Sequence, residues 1–144
     1  MPASDPVASS PERVCPLLNG VKIPQVSLKT ADGAPFELMA AIQTKARETI
    51  EKHKIAFTLL SDSQMTASRA FRIAYKVDDA TLKLFAQNGI DLEAASGEKH
   101  HELQVPAVFL VATNGVIQFE YINPDYTVRA HPDVLLAAAR VSRK

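Results

Sequence analysis

The sequence predicts an α/β domain with a small mixed sheet and an N-terminal β-hairpin, and three observations predict it. The first is the stretch from Val105 to Tyr121, which reads as two strands around a tight turn. Val108, Phe109, Leu110 and Val111 form an unbroken apolar run, which suits a strand buried on both faces. Asn114-Gly115 then supplies the φ > 0 positions of a short hairpin turn, and Val116 to Tyr121 is the return strand. The second observation is Asp32-Gly33 between Ile23–Leu28 and Pro35–Leu38, another hairpin signal. The third is helical: Leu38, Ile42, Ala46 and Ile50 recur every four residues, giving one amphipathic helix over Leu38 to His53.

In chain order, residues 1–14 carry Pro2, Pro6 and Pro11 among small polar residues. Such a composition buries too little surface to offset its ordering entropy, so a flexible tail is expected there and a single domain over 15–144. Cys15 is the one thiol of the chain. A reactive cysteine needs a cationic neighbour or a helix N-terminus, and although Arg13 is near in sequence, Pro16 and the tail offer no fixed geometry. An ordinary thiol or a small buried apolar group is the plainer reading. In the first hairpin Val26 and Leu28 alternate with Ser27 and Lys29, so one face turns inward. Pro24 and Pro35 each remove a backbone donor and place this hairpin at a sheet edge.

On the helix from Leu38, Arg47/Glu51 and Glu48/Lys52 form i,i+4 pairs on the outer side. Ile55 to Leu60 is a strand of apolar and β-favouring residues. Asp62 or Ser63 caps a further helix through Tyr75, with Ala67, Ala70, Phe71, Ala74 and Tyr75 inward and Arg69 and Arg72 toward water. Asp78 to Gln87 is a short helix ended by Asn88-Gly89, and residues 91–104 read as a loop. Within that loop His100-His101, Glu98 and Glu102 have a metal-ligand composition. Adjacent histidines diverge on regular structure, and no further Cys or His stands at a ligand spacing, so no metal site is expected. Asp125, Tyr126, Arg129 and His131 form a polar cluster near the strand ends, structural in character because no nucleophile stands beside them. The closing helix, Pro132 to Arg140, starts with Pro132 and Asp133. Its apolar side is Val134, Leu135, Ala138 and Val141, and Arg140, Arg143 and Lys144 favour its C-terminal end.

Composition narrows the function classes. The chain has 144 residues, one domain in size, and 47% of them are apolar. Lys+Arg and Asp+Glu are both 16, so the formal net charge is zero and nucleic acid is not an expected partner. The longest apolar run is too short to span a bilayer, and the N-terminus lacks the pattern of a secretory signal. One cysteine makes no internal disulfide. With no targeting or membrane signal, a cytoplasmic protein is expected, and no cofactor is expected either.

Four stretches then carry a resemblance. Gly20-Val21-Lys22-Ile23-Pro24-Gln25-Val26-Ser27-Leu28, the Asp32-Gly33 turn, Phe57-Thr58-Leu59-Leu60-Ser61-Asp62 and Val105-Pro106-Ala107-Val108-Phe109-Leu110-Val111 stand in the order found in one family. Together they resemble the peroxiredoxin-like proteins of the alkyl hydroperoxide reductase/thiol-specific antioxidant family, over most of residues 15–140. The resemblance implies a thioredoxin-like fold in which Pro106 is a cis-proline facing the redox cysteines. It also exposes a departure. Between the hairpin and the Phe57 strand the family has a strand, a cysteine-bearing loop with its helix, and another strand. Here Leu38–Lys45 runs straight into Ala46–His53 with no cysteine between.

The chain thus looks like a family member whose catalytic segment has been removed in frame. What the resemblance implies is a truncated thioredoxin-like fold, in two or three layers, without the peroxidatic thiol. The strands at 57–60 and 108–111 then either pair directly in parallel or leave a gap filled by another chain, which predicts a homodimer through an exposed sheet edge. Three functions compete: an inactive peroxiredoxin-like protein serving as a non-catalytic interaction module, a thiol peroxidase or redox protein using Cys15, and a deletion product with no activity of its own.

Overall fold

The computed structural model describes residues 6–30, 32–38 and 60–142. It is a mixed α/β structure of seven short strands and four α-helices among those residues. In chain order these are β1 (Ser27–Thr30), β2 (Pro35–Glu37), β3 (Leu60–Ser61), α1 (Thr66–Ala70), β4 (Ala74–Lys76), α2 (Asp79–Gln87), α3 (Leu92–Ser96), β5 (Glu102–Gln104), β6 (Ala107–Val111), β7 (Ile117–Ile122) and α4 (Pro132–Val141). The strands form three small antiparallel sheets, ordered β2-β1-β3, β4-β5 and β6-β7. Among the described residues no helix is long and apolar enough to cross a membrane.

Both hairpins form where turn chemistry requires them. Gly33 takes φ +88° and Thr30 N–H donates to the Ala34 carbonyl, while the Thr30 hydroxyl donates to the Asp32 carboxylate. Leu28 stands opposite Phe36 in the resulting ladder. In the second hairpin Gly115 takes φ +83°, and Asn114 Oδ1 accepts from Val116 N–H at 3.0 Å. The β6–β7 ladder pairs Phe109 with Glu120 and Leu110 with Phe119, then slips at a bulge so that Val111 meets Ile117. Strict alternation would put Ile117 and Glu120 on opposite faces. The extra residue at the bulge brings both to the face shared with Phe109 and Val111.

That face carries the core. Ile117 is fully buried and packs with Ile23 and Phe71; Leu17, Leu38, Ile73, Phe109 and Val111 close around them. The Phe71 and Phe109 rings lie 4.9 Å apart at 55°, a tilted aromatic contact. An irregular strap over residues 15–23 lies across the start of β7. Its Gly20 N–H donates to the Ile117 carbonyl and Ile117 N–H to the Val21 carbonyl, both at 2.9 Å, which satisfies backbone groups that would otherwise be buried unpaired.

Several expectations are corrected. The helix expected from Asp62 or Ser63 through Tyr75 is one short turn pair, Thr66–Ala70, and Ala74 and Tyr75 belong to β4. Arg72 takes φ +59° just after Phe71, and this left-handed step ends the helix and turns the chain into the strand. Asp62 does serve the helix end, accepting from Ala67 N–H, Ser68 N–H and the Ser68 hydroxyl. Arg69 is not simply a solvated charge: it makes a two-point pair with Glu102, at 2.8 and 3.0 Å. The loop expected at 91–104 contains α3, capped by Asp91, and β5, which pairs with β4. Of the expected tail, residues 6–14 are described: Lys76 N–H donates to the Ala8 carbonyl at 2.8 Å, and Pro11–Arg13 make a 3-10 turn. The available edge of β4 is the reason, since it supplies a backbone partner that composition cannot reveal.

The strand run at β6 is half-buried rather than covered on both faces, with Val108 37% exposed, because it belongs to a two-stranded ribbon. Leu60 pairs antiparallel with Thr30 of β1, not in parallel with β6. The expected helix beyond Leu38 and the strand before Leu60 lie outside the described residues. By contrast the Asp78-capped helix to Gln87 and the closing helix from Pro132 stand where expected.

Candidate functional site

Pro106 follows Val105, which is 1% exposed and donates its N–H to the Ile73 carbonyl at 3.0 Å. The Pro106 carbonyl accepts from Asn123 N–H at 3.2 Å. No cis peptide bond occurs among the described residues, so the expectation of a cis Val105–Pro106 bond is corrected. Extended backbone on both sides, held by these two hydrogen bonds, accommodates the ordinary trans form. Beside Pro106 opens a cavity of about 420 Å³, walled by Gln104, Val108, Tyr121, Tyr126 and Arg129 among others.

The loop over that cavity builds itself from local turns. Asn123 Oδ1 accepts from Asp125 N–H at 2.9 Å, and Asp125 Oδ1 accepts from Thr127 N–H at 2.9 Å and its hydroxyl at 2.7 Å. The Thr127 hydroxyl and N–H, followed by the Arg129 charge, hold the Asp125 carboxyl below its ordinary pKa. The Arg129 guanidinium folds back onto the carbonyls of Tyr126 and Val128. Asp125, Tyr126 and Arg129 therefore do share one loop. His131 is drawn away from them: its Nδ1 accepts from Asp133 N–H at 3.2 Å and caps α4.

Cys15 lies elsewhere. It is exposed, in the strap after the 3-10 turn, and it shares a pocket of about 270 Å³ with Arg13, Arg69 and Arg72. Arg69 is committed to Glu102, whose hydrogen bonds raise the guanidinium's pKa further above its ordinary value. The proline cavity and the thiol thus line different pockets.

The histidine pair splits. His100 Nδ1 accepts from Glu102 N–H at 2.9 Å, so its Nε2 carries the proton that reaches the Ser63 carbonyl at 2.8 Å. His101 turns to Glu93 instead, with Nε2 2.8 Å from the carboxylate. Its φ of +51° accounts for the divergence. Among the described residues no group of three or more His, Cys, Asp or Glu is placed to hold a metal ion.

Two features have no counterpart in the sequence-based list. One is a groove of about 1120 Å³ running from Glu12 past Tyr75 and Asp78 to Leu84, Ile90 and Tyr126. Its walls come from the N-terminal segment, α2, β5 and the 123–126 loop, distant in sequence, so no local pattern announces it. The other is Glu120, whose Oε2 is buried without a hydrogen-bond partner on the core face of β7. A lone acid in the return strand was the available signal. No family model matches the chain, and no curated protein matches it either.

Proposed function

We propose that this chain is a peroxiredoxin-like, thioredoxin-related domain that has lost thiol peroxidase chemistry and acts as a non-catalytic binding module, in the cytoplasm. One observation carries the reading. Pro106, the residue that by resemblance would face the redox thiols, opens onto a cavity lined by tyrosines, Gln104 and Arg129, while the chain's one cysteine lines a different pocket. A peroxidatic site needs its nucleophile beside the groups that orient the peroxide oxygen. The cavity offers hydrogen-bonding and aromatic surface for a ligand, and no thiol stands among its lining residues.

The test is peroxide consumption with dithiothreitol as reductant, alongside free-thiol counting. Peroxide should disappear no faster with the protein than with an equal amount of a small-molecule thiol. Catalytic turnover above that background overturns the binding-module reading.

A second reading, a redox protein using Cys15, is favoured by the three arginines that line the same pocket as the thiol. It requires turnover that vanishes in Cys15→Ser. Slow, stoichiometric oxidation of Cys15 would eliminate it.

A further inference from the structure

Three guanidiniums line one pocket, and they come from three places in the chain. Arg13 ends the 3-10 turn Pro11–Arg13, Arg69 stands in the last turn of α1, and Arg72 follows just after Phe71. With Ala8, Cys15 and Ala74 among others they wall a volume of about 270 Å³. No carboxylate stands among the lining residues. The chain has zero formal net charge, so this is a local excess of positive charge. Like charges gathered around one space repel, and an anion between them relieves that repulsion.

Backbone bonds bring the three together. Leu17 N–H donates to the Phe71 carbonyl at 3.2 Å, which ties the segment after Arg13 to the residue before Arg72. Lys76 N–H donates to the Ala8 carbonyl at 2.8 Å and holds the N-terminal wall against β4. Arg72 takes φ +59°, a conformation that residues other than glycine rarely adopt, so the turn presents this charge against its local preference.

The side chains also have capacity to bind. Arg69 gives Nε and Nη2 to Glu102 at 2.8 and 3.0 Å, which fixes its plane and leaves Nη1 outside the pair. Glu102 and Asp62, the carboxylates that act on Arg69, are not among the lining residues. Arg13 forms no ion pair with any of the described residues. A guanidinium presents its N–H groups as a rigid fork that matches the oxygens of a phosphate. The volume falls below the roughly 300–1,000 Å³ typical of drug-sized ligands, which suits a small ion.

We propose that this pocket binds a small multivalent oxyanion of the phosphate class, held by Arg13, Arg69 and Arg72. Cys15 is a neighbour of the bound ion and not a participant: binding forms no bond to sulfur and needs no peroxide turnover. The site is therefore independent of the Pro106 cavity and of both readings of the chain's chemistry.

Two measurements on the full chain test it, with inorganic pyrophosphate as probe and sodium chloride at matched ionic strength as control. A ligand that binds the folded state alone stabilises it, so pyrophosphate should raise the melting temperature beyond the salt control. Cys15 lines the pocket and reports its charge. Its thiolate displaces one arylthiolate from dithiobis(nitrobenzoate), a doubly anionic disulfide, or one thiopyridine from neutral dithiodipyridine, and is left as a mixed disulfide in each case. Pyrophosphate should slow the anionic reagent at least about threefold more than the neutral one. Arg13→Gln and Arg72→Gly should each weaken pyrophosphate binding at least about tenfold. Glycine takes a positive φ freely, so the second variant removes the charge without opposing the turn. Lys83→Gln, which removes an exposed cation of α2 outside the pocket, should bind as wild type does. Pyrophosphate that stabilises the chain no more than matched salt overturns the proposal. So does binding as tight as wild type in Arg13→Gln and Arg72→Gly when circular dichroism shows both folded. An equal loss in Lys83→Gln overturns it too, because the effect would then be diffuse charge and not a site.

Discussion

The two hairpins have equally clear turn signals and unequal standing in the molecule. Asp32-Gly33 and Asn114-Gly115 both close tight turns with a glycine near φ +85°. Yet β1 alternates exposed and half-buried residues, and β2 is exposed but for Phe36. In the other hairpin Ile117 is wholly buried, Phe109 packs at a tilt against Phe71, and the strap over residues 15–23 bonds to the backbone around β7. Turn chemistry decides that a hairpin forms; apolar load and the partners it meets decide how much stability rests on it.

The sharpest way to break this contrast is to cut an equivalent side chain in each hairpin. Ile117→Ala leaves a cavity in a packed core and should cost about 2–5 kcal/mol in a urea melt. Leu28→Ala removes a half-buried side chain and should cost about 1 kcal/mol or less. Equal losses would mean that the first hairpin is as central as the second.

A smaller effect isolates the backbone. A Cβ at Gly33 would meet nothing within 4 Å, so Gly33→Ala reports only the cost of φ +88°, roughly 1–2 kcal/mol. Gly115→Ala should cost at least as much, because Gly115 is buried and its carbonyl accepts from Ile23 N–H at 2.8 Å. A larger loss at Gly33 than at Gly115 would reverse the ranking of the two turns.

The smallest effect is acid sensitivity, and of the two turns only the first carries a carboxyl. The Thr30 hydroxyl and Asp32's own N–H hold the Asp32 carboxyl below its ordinary value of 3.8. A depressed folded-state pKa gives stability that is complete above the unfolded value and is lost as pH falls through the folded one. Stability should therefore drop below about pH 3.8, and Asp32→Asn should flatten that part of the profile. The other turn uses Asn114, which does not titrate, so Asn114→Asp should introduce a pH dependence that wild type lacks there. An unchanged profile in Asp32→Asn, measured by denaturant melts across acidic pH, would show that the Thr30 contact contributes nothing.

Local signals were legible wherever a few adjacent residues control the backbone. Both turns, the Asp78-capped helix ended by Asn88-Gly89, and the Pro132 start of α4 could be read directly, because capping and φ > 0 demands act within one turn of chain. The polar loop was half legible: Asp125, Tyr126 and Arg129 share it through successive local turns, whereas His131 caps α4 instead. Helical spacing misled at Ala67–Tyr75. Periodicity does not see the left-handed Arg72 or the β4–β5 pairing that claims Ala74 and Tyr75. Likewise nothing local tells Ala8 to lie along β4, or Arg69 to reach Glu102, 33 residues away.

By itself, then, the sequence determined the α/β character, the two turns, two of the helices and the supply of a single thiol. Tertiary structure alone decided that Leu60 takes the edge of β1, that the thiol and Pro106 line separate pockets, and that an acid-rimmed groove stands on the surface of a neutral chain. The division has one physical reason. Backbone conformation responds to neighbours within a few residues, whereas strand pairing, burial and pocket walls depend on segments brought together only after the chain has folded.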